Sequence, residues 1–203
     1  RNARLLGETI LMAYVGTLTG SVAAFALNFV ASPNLTNSRA AVFVARRALE
    51  LCRTVPGVVF ALMFVVAFGL GPLAGVLAIA LHTAGALGKQ FFETTENIDP
   101  KPVEGLRAAG ANWTQTVRFA AVPQVLASFA SFALLRFEIN VREATVLGFV
   151  GAGGIGQDLM EAIRKFYYSD VSAILALIIV VVVVIDISTQ YLRRWLMSAG
   201  VAR

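Results

Sequence analysis

The chain has 203 residues, 58% hydrophobic and 14% charged, against about 45–50% apolar and 25% charged in a soluble domain. Residues 9–38 and 54–88 contain no Asp, Glu, Lys or Arg, and residues 171–185 are almost purely aliphatic, which excludes an ordinary soluble fold. A net charge of +5 would suggest a nucleic-acid partner in a soluble protein; here the basic residues are expected to mark one face of a membrane, and no nucleic acid is implicated.

A hydrocarbon core about 30 Å thick takes roughly 20 apolar residues in a helix. The chain therefore reads as a single all-α integral membrane domain with five spans, at about 5–31, 47–69, 72–92, 116–137 and 170–192. The first has Glu8 near its start and Asn28 near its end, and Ser32-Pro33-Asn34 stops it. A polar stretch follows, with Arg39, Arg46, Arg47 and Arg53 against Glu50, and its second half can be helical and lead into the second span. Pro56-Gly57 is expected to bend that span, and Gly69-Leu70-Gly71-Pro72 to turn the chain into the third.

The loop 93–115 is one of the few charged intervals. A short amphipathic helix fits 102–112, with Glu104 in its first turn, Arg107 three residues on and Gly110 at its end. Trp113 opens a second segment that runs to Pro123. The fourth span ends in a polar cluster, Arg136, Glu138, Asn140, Arg142 and Glu143. Helical spacing puts Arg136 with Asn140 and Glu138 with Arg142, as a solute pathway or as ion pairs holding the helix end together.

Gly151, Gly153, Gly154 and Gly156 satisfy a dinucleotide-binding spacing, but that motif needs a βαβ unit, and membrane spans leave no room for a sheet. Close helix contact and a broken, re-entrant turn beside a cavity remain; the second suits a segment too short to cross. A short amphipathic piece, 157–165, leads to the last span, which is interrupted only by Asp186 and closed by Arg193-Arg194-Trp195. The lone Cys52 and lone His82 provide neither an intrachain disulfide nor a metal cluster, and both suit packing. No catalytic constellation is present, so the chain is not expected to be an enzyme by itself. With five crossings, loops 32–53 and 88–118 and the C-terminus share one face and hold eleven Lys/Arg against six on the other. The positive-inside rule makes that face, with Glu104, cytoplasmic.

The residues of this loop resemble a known pattern. Glu104-Gly105-Leu106, three residues, Gly110, nine residues and Ala120-x-Val122-Pro123 are similar to the EAA loop of ABC importer permeases, E-A-A, three residues, G, nine residues, I-x-L-P. Gly105, Leu106, Ala120 and Val122 depart from that pattern. The stretches 69–78, 82–89 and 138–156 resemble the phosphonate/phosphite/phosphate permeases, and the likeness covers nearly the whole chain. It implies a five-helix type I importer core like that of the methionine-importer permease, usually preceded by one more helix, which would lie before Arg1. It also implies a prokaryotic plasma-membrane location and a second permease chain, forming a homodimer. Two ATPase subunits carrying ATP and Mg, and a binding protein delivering the oxyanion, complete the assembly amid membrane lipid; no cofactor is implied in this chain.

Under the same resemblance Glu104, Arg107, Ala108, Ala109, Gly110, Trp113 and Pro123 belong to ATPase coupling, with Glu104 capping or pinning the helix and Gly110 allowing its turn. Arg136, Glu138, Asn140, Arg142, Glu143 and His82 are candidates for the translocation path, the arginines suiting a doubly charged oxyanion. Gly151, Gly153, Gly154 and Gly156 would form a gate or re-entrant turn. The competing readings are an ABC importer permease for another small solute and an ATP-independent secondary transporter.

Overall fold

The computed structural model describes the backbone of residues 2–201 and the side chains of residues 2–196; Arg1 and Arg203, both counted in the charge balance above, lie outside the described residues. Among the described residues nine α-helices follow one another, α1 Asn2–Ala31, α2 Arg39–Thr54, α3 Gly57–Phe68, α4 Pro72–Glu96, α5 Pro100–Ala108, α6 Trp113–Thr116, α7 Val122–Leu147, α8 Ile155–Arg164 and α9 Tyr168–Val201, and there is no strand. Four helical stretches, Asn2–Ala31, Pro72–Glu96, Trp113–Val150 and Tyr168–Leu196, are long and apolar enough to cross a membrane; α2 and α3 make a fifth only as a pair bent by 89°.

The bend expected at Pro56-Gly57 is present, and it is a full break between two helices. Pro56 has no N–H to donate and forces Val55 out of the helical region, to φ −77 and ψ 124. Helix α2 therefore stops, and α3 restarts from the Pro56 carbonyl, which accepts from the Val59 N–H at 3.0 Å. The break frees the Val55 carbonyl, and the imidazole of His82 on α4 takes its place as donor through Nδ1 at 3.1 Å.

Helix α4 is the centre of the bundle, packed against α1, α2, α3 and α7. Glycines bring its neighbours in. A Cβ on Gly20 of α1 would lie 2.6 Å from the Ala80 carbonyl, and one on Gly85 of α4 would lie 2.5 Å from the Arg53 nitrogen of α2. Small residues at such crossings let helix backbones approach where burial from water supplies no drive.

The stretch Trp113–Val150 is one long helix with a widened turn. Asn112 and Gln115 form a reciprocal capping box at its start. Residues Val117–Ala121 are π-helical, with the Val122 N–H bonded to the Val117 carbonyl. Pro123 lies just beyond, and the wider turn accommodates a residue that cannot donate to the preceding turn. After α7, a 3-10 turn Gly148–Val150 and Gly151 at φ +86 reverse the chain into α8. This is the short broken segment before the last helix. It is clamped on two sides: the Gly71 N–H donates to the Gly151 carbonyl at 3.0 Å, and the Ile155 N–H to the Thr9 hydroxyl at 2.8 Å.

Candidate functional site

The short helix α5 begins two residues before the position that amphipathic patterning suggests. Asp99 caps it by accepting from the Lys101 N–H at 3.0 Å, and Pro100 occupies the first turn, where its missing donor costs nothing. The helix ends at Ala108 rather than running to 112. Gly110 then takes φ +83, and the Gly110 and Ala111 N–H groups return to the carbonyls of Arg107 and Leu106, each at 3.0 Å. Glu104 is consequently the fifth residue of α5 instead of a first-turn residue, and the capping role falls to Asp99.

One side of α5 is anchored. Val103 is 5% exposed, and with Leu106 it enters an apolar cluster containing Phe29, Leu35, Phe91 and Phe129, where the rings of Phe91 and Phe129 stack at 3.9 Å. Arg107 does not turn back to Glu104. Its guanidinium donates to the carbonyls of Asn34 at 3.0 Å and Leu35 at 3.2 Å, in the connection between α1 and α2. Asn34 in turn donates to the Thr95 carbonyl at 2.8 Å, and the Thr95 hydroxyl to the fully buried Asn28 of α1 at 2.9 Å. A continuous polar chain thus runs from α5 through the 32–38 connection to α4 and α1.

The other side of α5 is bare. Glu104, Gly105, Ala108, Ala109 and Gly110 are exposed, as is Trp113 beyond the turn. The Glu104 carboxylate has no hydrogen bond or ion pair among the described residues. A helix held firmly from behind and free in front is arranged to receive another surface.

The polar cluster on α7 divides into two ion pairs and one inward amide. Glu138, 6% exposed, pairs with Arg142 one turn on, and the Thr189 hydroxyl of α9 approaches its second oxygen at 3.5 Å. Arg136 pairs with Glu143 two turns away, at 3.5 Å. Glu143 also lies against Gly57, the first residue of α3, where any side chain would collide with its carboxylate. Asn140 is fully buried, and instead of joining Arg136 it donates to the hydroxyls of Thr17 on α1 at 2.7 Å and Thr83 on α4 at 2.8 Å. His82 stands at the α2–α3 break, apart from both ion pairs. Gly151, Gly153 and Gly154, all at positive φ, pack against Leu70, Pro72 and Thr9, and Gly156 packs against the Thr145 backbone. Among the described residues no group of three His, Cys, Asp or Glu could hold a metal ion.

Composition and periodicity miss Asn28, Asn34, Thr95 and Arg107 as a network, because its bonded partners are up to 73 residues apart. Asp99 was open to detection: an Asp immediately before Pro is a strong helix-start signal.

Comparison with known proteins places these features. Residues 16–198 match the family described as binding-protein-dependent transport system inner membrane component. A phosphite transport system permease protein of Stutzerimonas stutzeri is 42% identical over 191 residues, 94% of this chain and 70% of that one. A phosphate-import permease protein of Mycolicibacterium smegmatis is 40% identical over 198 residues, 98% of this chain but only 37% of that protein's length. Among solved structures, a chain of the MetNI methionine ABC transporter in an inward-facing conformation superposes with a TM-score of 0.80 at 21% identity, covering 96% of this chain and 95% of that one; at that identity the likeness concerns the fold.

Proposed function

The chain belongs to the family of binding-protein-dependent transport system inner membrane components, and on that premise we propose that it is the membrane-spanning subunit of an ATP-driven importer for phosphonate, phosphite or phosphate. The solute class is supported by the phosphite and phosphate relatives. In this reading a second permease chain pairs with the first, and two ATPase subunits bind the face that carries α5. An extracytoplasmic binding protein delivers the oxyanion at the other face. ATP and Mg belong to the ATPase subunits, and the α5 face is cytoplasmic.

The observation that carries the proposal is the two-sidedness of α5. Its outer surface, Glu104, Ala108, Ala109 and Gly110, offers small residues and one unmatched carboxylate to a groove on the ATPase. Its inner surface is fixed by Val103, Leu106 and Arg107 to a connection that is itself bonded to α4 and α1. A displacement of α5 imposed by ATP binding is therefore passed to two membrane-spanning helices as a unit, which is how a local ligand biases a two-state bundle. Of the α7 ion pairs, Glu138–Arg142 has the more open cation, with the Arg142 side chain 52% exposed. That guanidinium is the better candidate to meet a passing oxyanion, while the less exposed Arg136 stays with Glu143.

Reconstitution with the ATPase partner and binding protein tests this reading. Glu104→Lys should abolish binding-protein-stimulated ATP hydrolysis while α-helix content and melting stay at wild-type values. Arg107→Ala should retain ATPase binding but lower the uptake obtained per ATP hydrolysed. Full coupling in both variants would overturn the assignment of α5, and uptake without ATP would favour a secondary transporter.

A further inference from the structure

Helices α2 and α4 run antiparallel, and the contacts between them form a depth scale. Arg46 lies over the Phe92 ring at 4.7 Å and pairs with Glu96. Leu49 packs on Gly88, the Arg53 backbone on Gly85, and the Val55 carbonyl meets His82. Arg53 thus stands level with Gly85, four residues before Lys89 on α4, or about 6 Å along the axis at 1.5 Å per residue. It lies deeper than Lys89, the first charged residue of α4, which follows an apolar run from Pro72.

The cations around Arg53 are matched: Arg46 with Glu96, Arg47 with Glu50, and Lys89 with Glu93 at 3.4 Å. Arg53 is not. It is exposed and makes no hydrogen bond or ion pair among the described residues. A bare guanidinium is costly against hydrocarbon, so the face that carries it borders water or a polar ligand. It opens on a cleft of about 270 Å³ lined also by Arg46, Arg47, Glu50, Lys89 and Glu93. The Arg47 and Lys89 pairs are largely solvated, and exposed ion pairs exchange partners at little cost.

We propose that this α2–α4 cleft is a binding site for a tetrahedral phosphorus oxyanion, with Arg53 supplying the uncompensated charge and Arg47 and Lys89 closing on the anion. The planar fork of each arginine suits two oxygens of a phosphate or phosphonate group. The proposal deepens the importer reading and rests on it for its role, a solute held on the cytoplasmic half of its path. The same chemistry is offered by the head group of an anionic phospholipid.

The test uses the permease assembled with its ATPase partner in phosphatidylcholine nanodiscs, without ATP or binding protein. Equilibrium binding of labelled inorganic phosphate is measured for wild type, Arg53→Gln and Arg53→Lys. Loss of a charge-assisted contact should weaken binding about tenfold in Arg53→Gln, with much of it recovered in Arg53→Lys. If phosphate does not bind, but preparations in phosphatidylglycerol-containing discs lose bound phosphatidylglycerol in Arg53→Gln, the site stands and its ligand is the head group. Phosphate binding and lipid content both unchanged by Arg53→Gln overturn the proposal. ATP-driven uptake in proteoliposomes separates this from the wider reading. A wild type that imports while its phosphate binding and lipid content ignore Arg53 removes the site alone. A wild type that imports no oxyanion, yet binds phosphate through Arg53, removes the importer reading and leaves the site.

Discussion

Asn140 offers the sharpest separation between a residue that meets solute and one that holds helices together. Its amide is fully buried and gives one proton to Thr17 of α1 at 2.7 Å and the other to Thr83 of α4 at 2.8 Å, so three helices meet at one side chain. Hydrogen bonds between membrane helices contribute about 0.6 kcal/mol on average and up to about 1.7, so the two together are worth about 1–3 kcal/mol. The Thr17 hydroxyl already gives its own proton to the Ala13 carbonyl at 2.6 Å, so removing Asn140 strands only an acceptor there, while the buried Thr83 hydroxyl loses its one partner among the described residues. Asn140→Ala should therefore lower stability by that 1–3 kcal/mol, read from unfolding of the purified chain in mixed micelles titrated with denaturing detergent. Uptake per folded complex should stay near wild type. Thr83→Val should cost a comparable amount by leaving an amide proton unaccepted, and the double variant should cost less than the sum because both remove the same bond. The reasoning fails if Asn140→Ala shifts stability by less than about 0.5 kcal/mol. It fails equally if uptake collapses in a variant that remains as stable as wild type, which would place the amide on the solute path.

Two further outcomes follow from the backbone. Gly110 holds φ +83 with nothing within 4 Å of a Cβ built there, so Gly110→Ala meets no clash and carries only the left-handed penalty of about 1–2 kcal/mol. Amide exchange at residues 110 and 111 should rise about tenfold with stimulated ATPase falling, and Gly110→Asn should recover much of both; wild-type exchange in Gly110→Ala would refute the turn's role. At Gly20, where a Cβ would sit 2.6 Å from the Ala80 carbonyl, Gly20→Ala must push α1 from α4 and should cost about 1–3 kcal/mol in the same detergent titration. An unchanged midpoint would show that the helices can slide apart freely.

How much of this was legible in the sequence depends on where each instruction is written. Apolar runs and their interruptions are local, so the all-helical membrane architecture and the short broken segment before the last helix follow from the chain itself. Pro56 announces a break, but not its 89° angle, nor that His82, 27 residues beyond Val55, meets the carbonyl the break frees. Arg107 illustrates the limit most plainly. Helical spacing offers it Glu104, three residues away and in solvent, where such a pair is worth a few tenths of a kcal/mol. The fold offers two carbonyls at the end of α1, held in place by Asn34 and Thr95, and the guanidinium takes those instead.

That competition sorts the polar residues of the chain. Ionisable and amide groups within apolar helices invite a pathway reading by default, yet Asn140, His82, Glu138 and Arg136 each have a partner inside the fold. Asn140 ties α7 to α1 and α4, and His82 ties α4 to the α2–α3 break, while Arg136 and Glu138 are paired along α7 itself. Glu104 and Arg53 are different, one at the outer surface of α5 and one level with Gly85 along α4, each exposed and each without a partner among the described residues. A carboxylate left free at the face proposed for the ATPase suits docking, where water solvates it until the partner arrives. A guanidinium left free deeper than Lys89 has no such ready solvation unless a polar cleft supplies it, and the α2–α4 cleft is where that requirement is met.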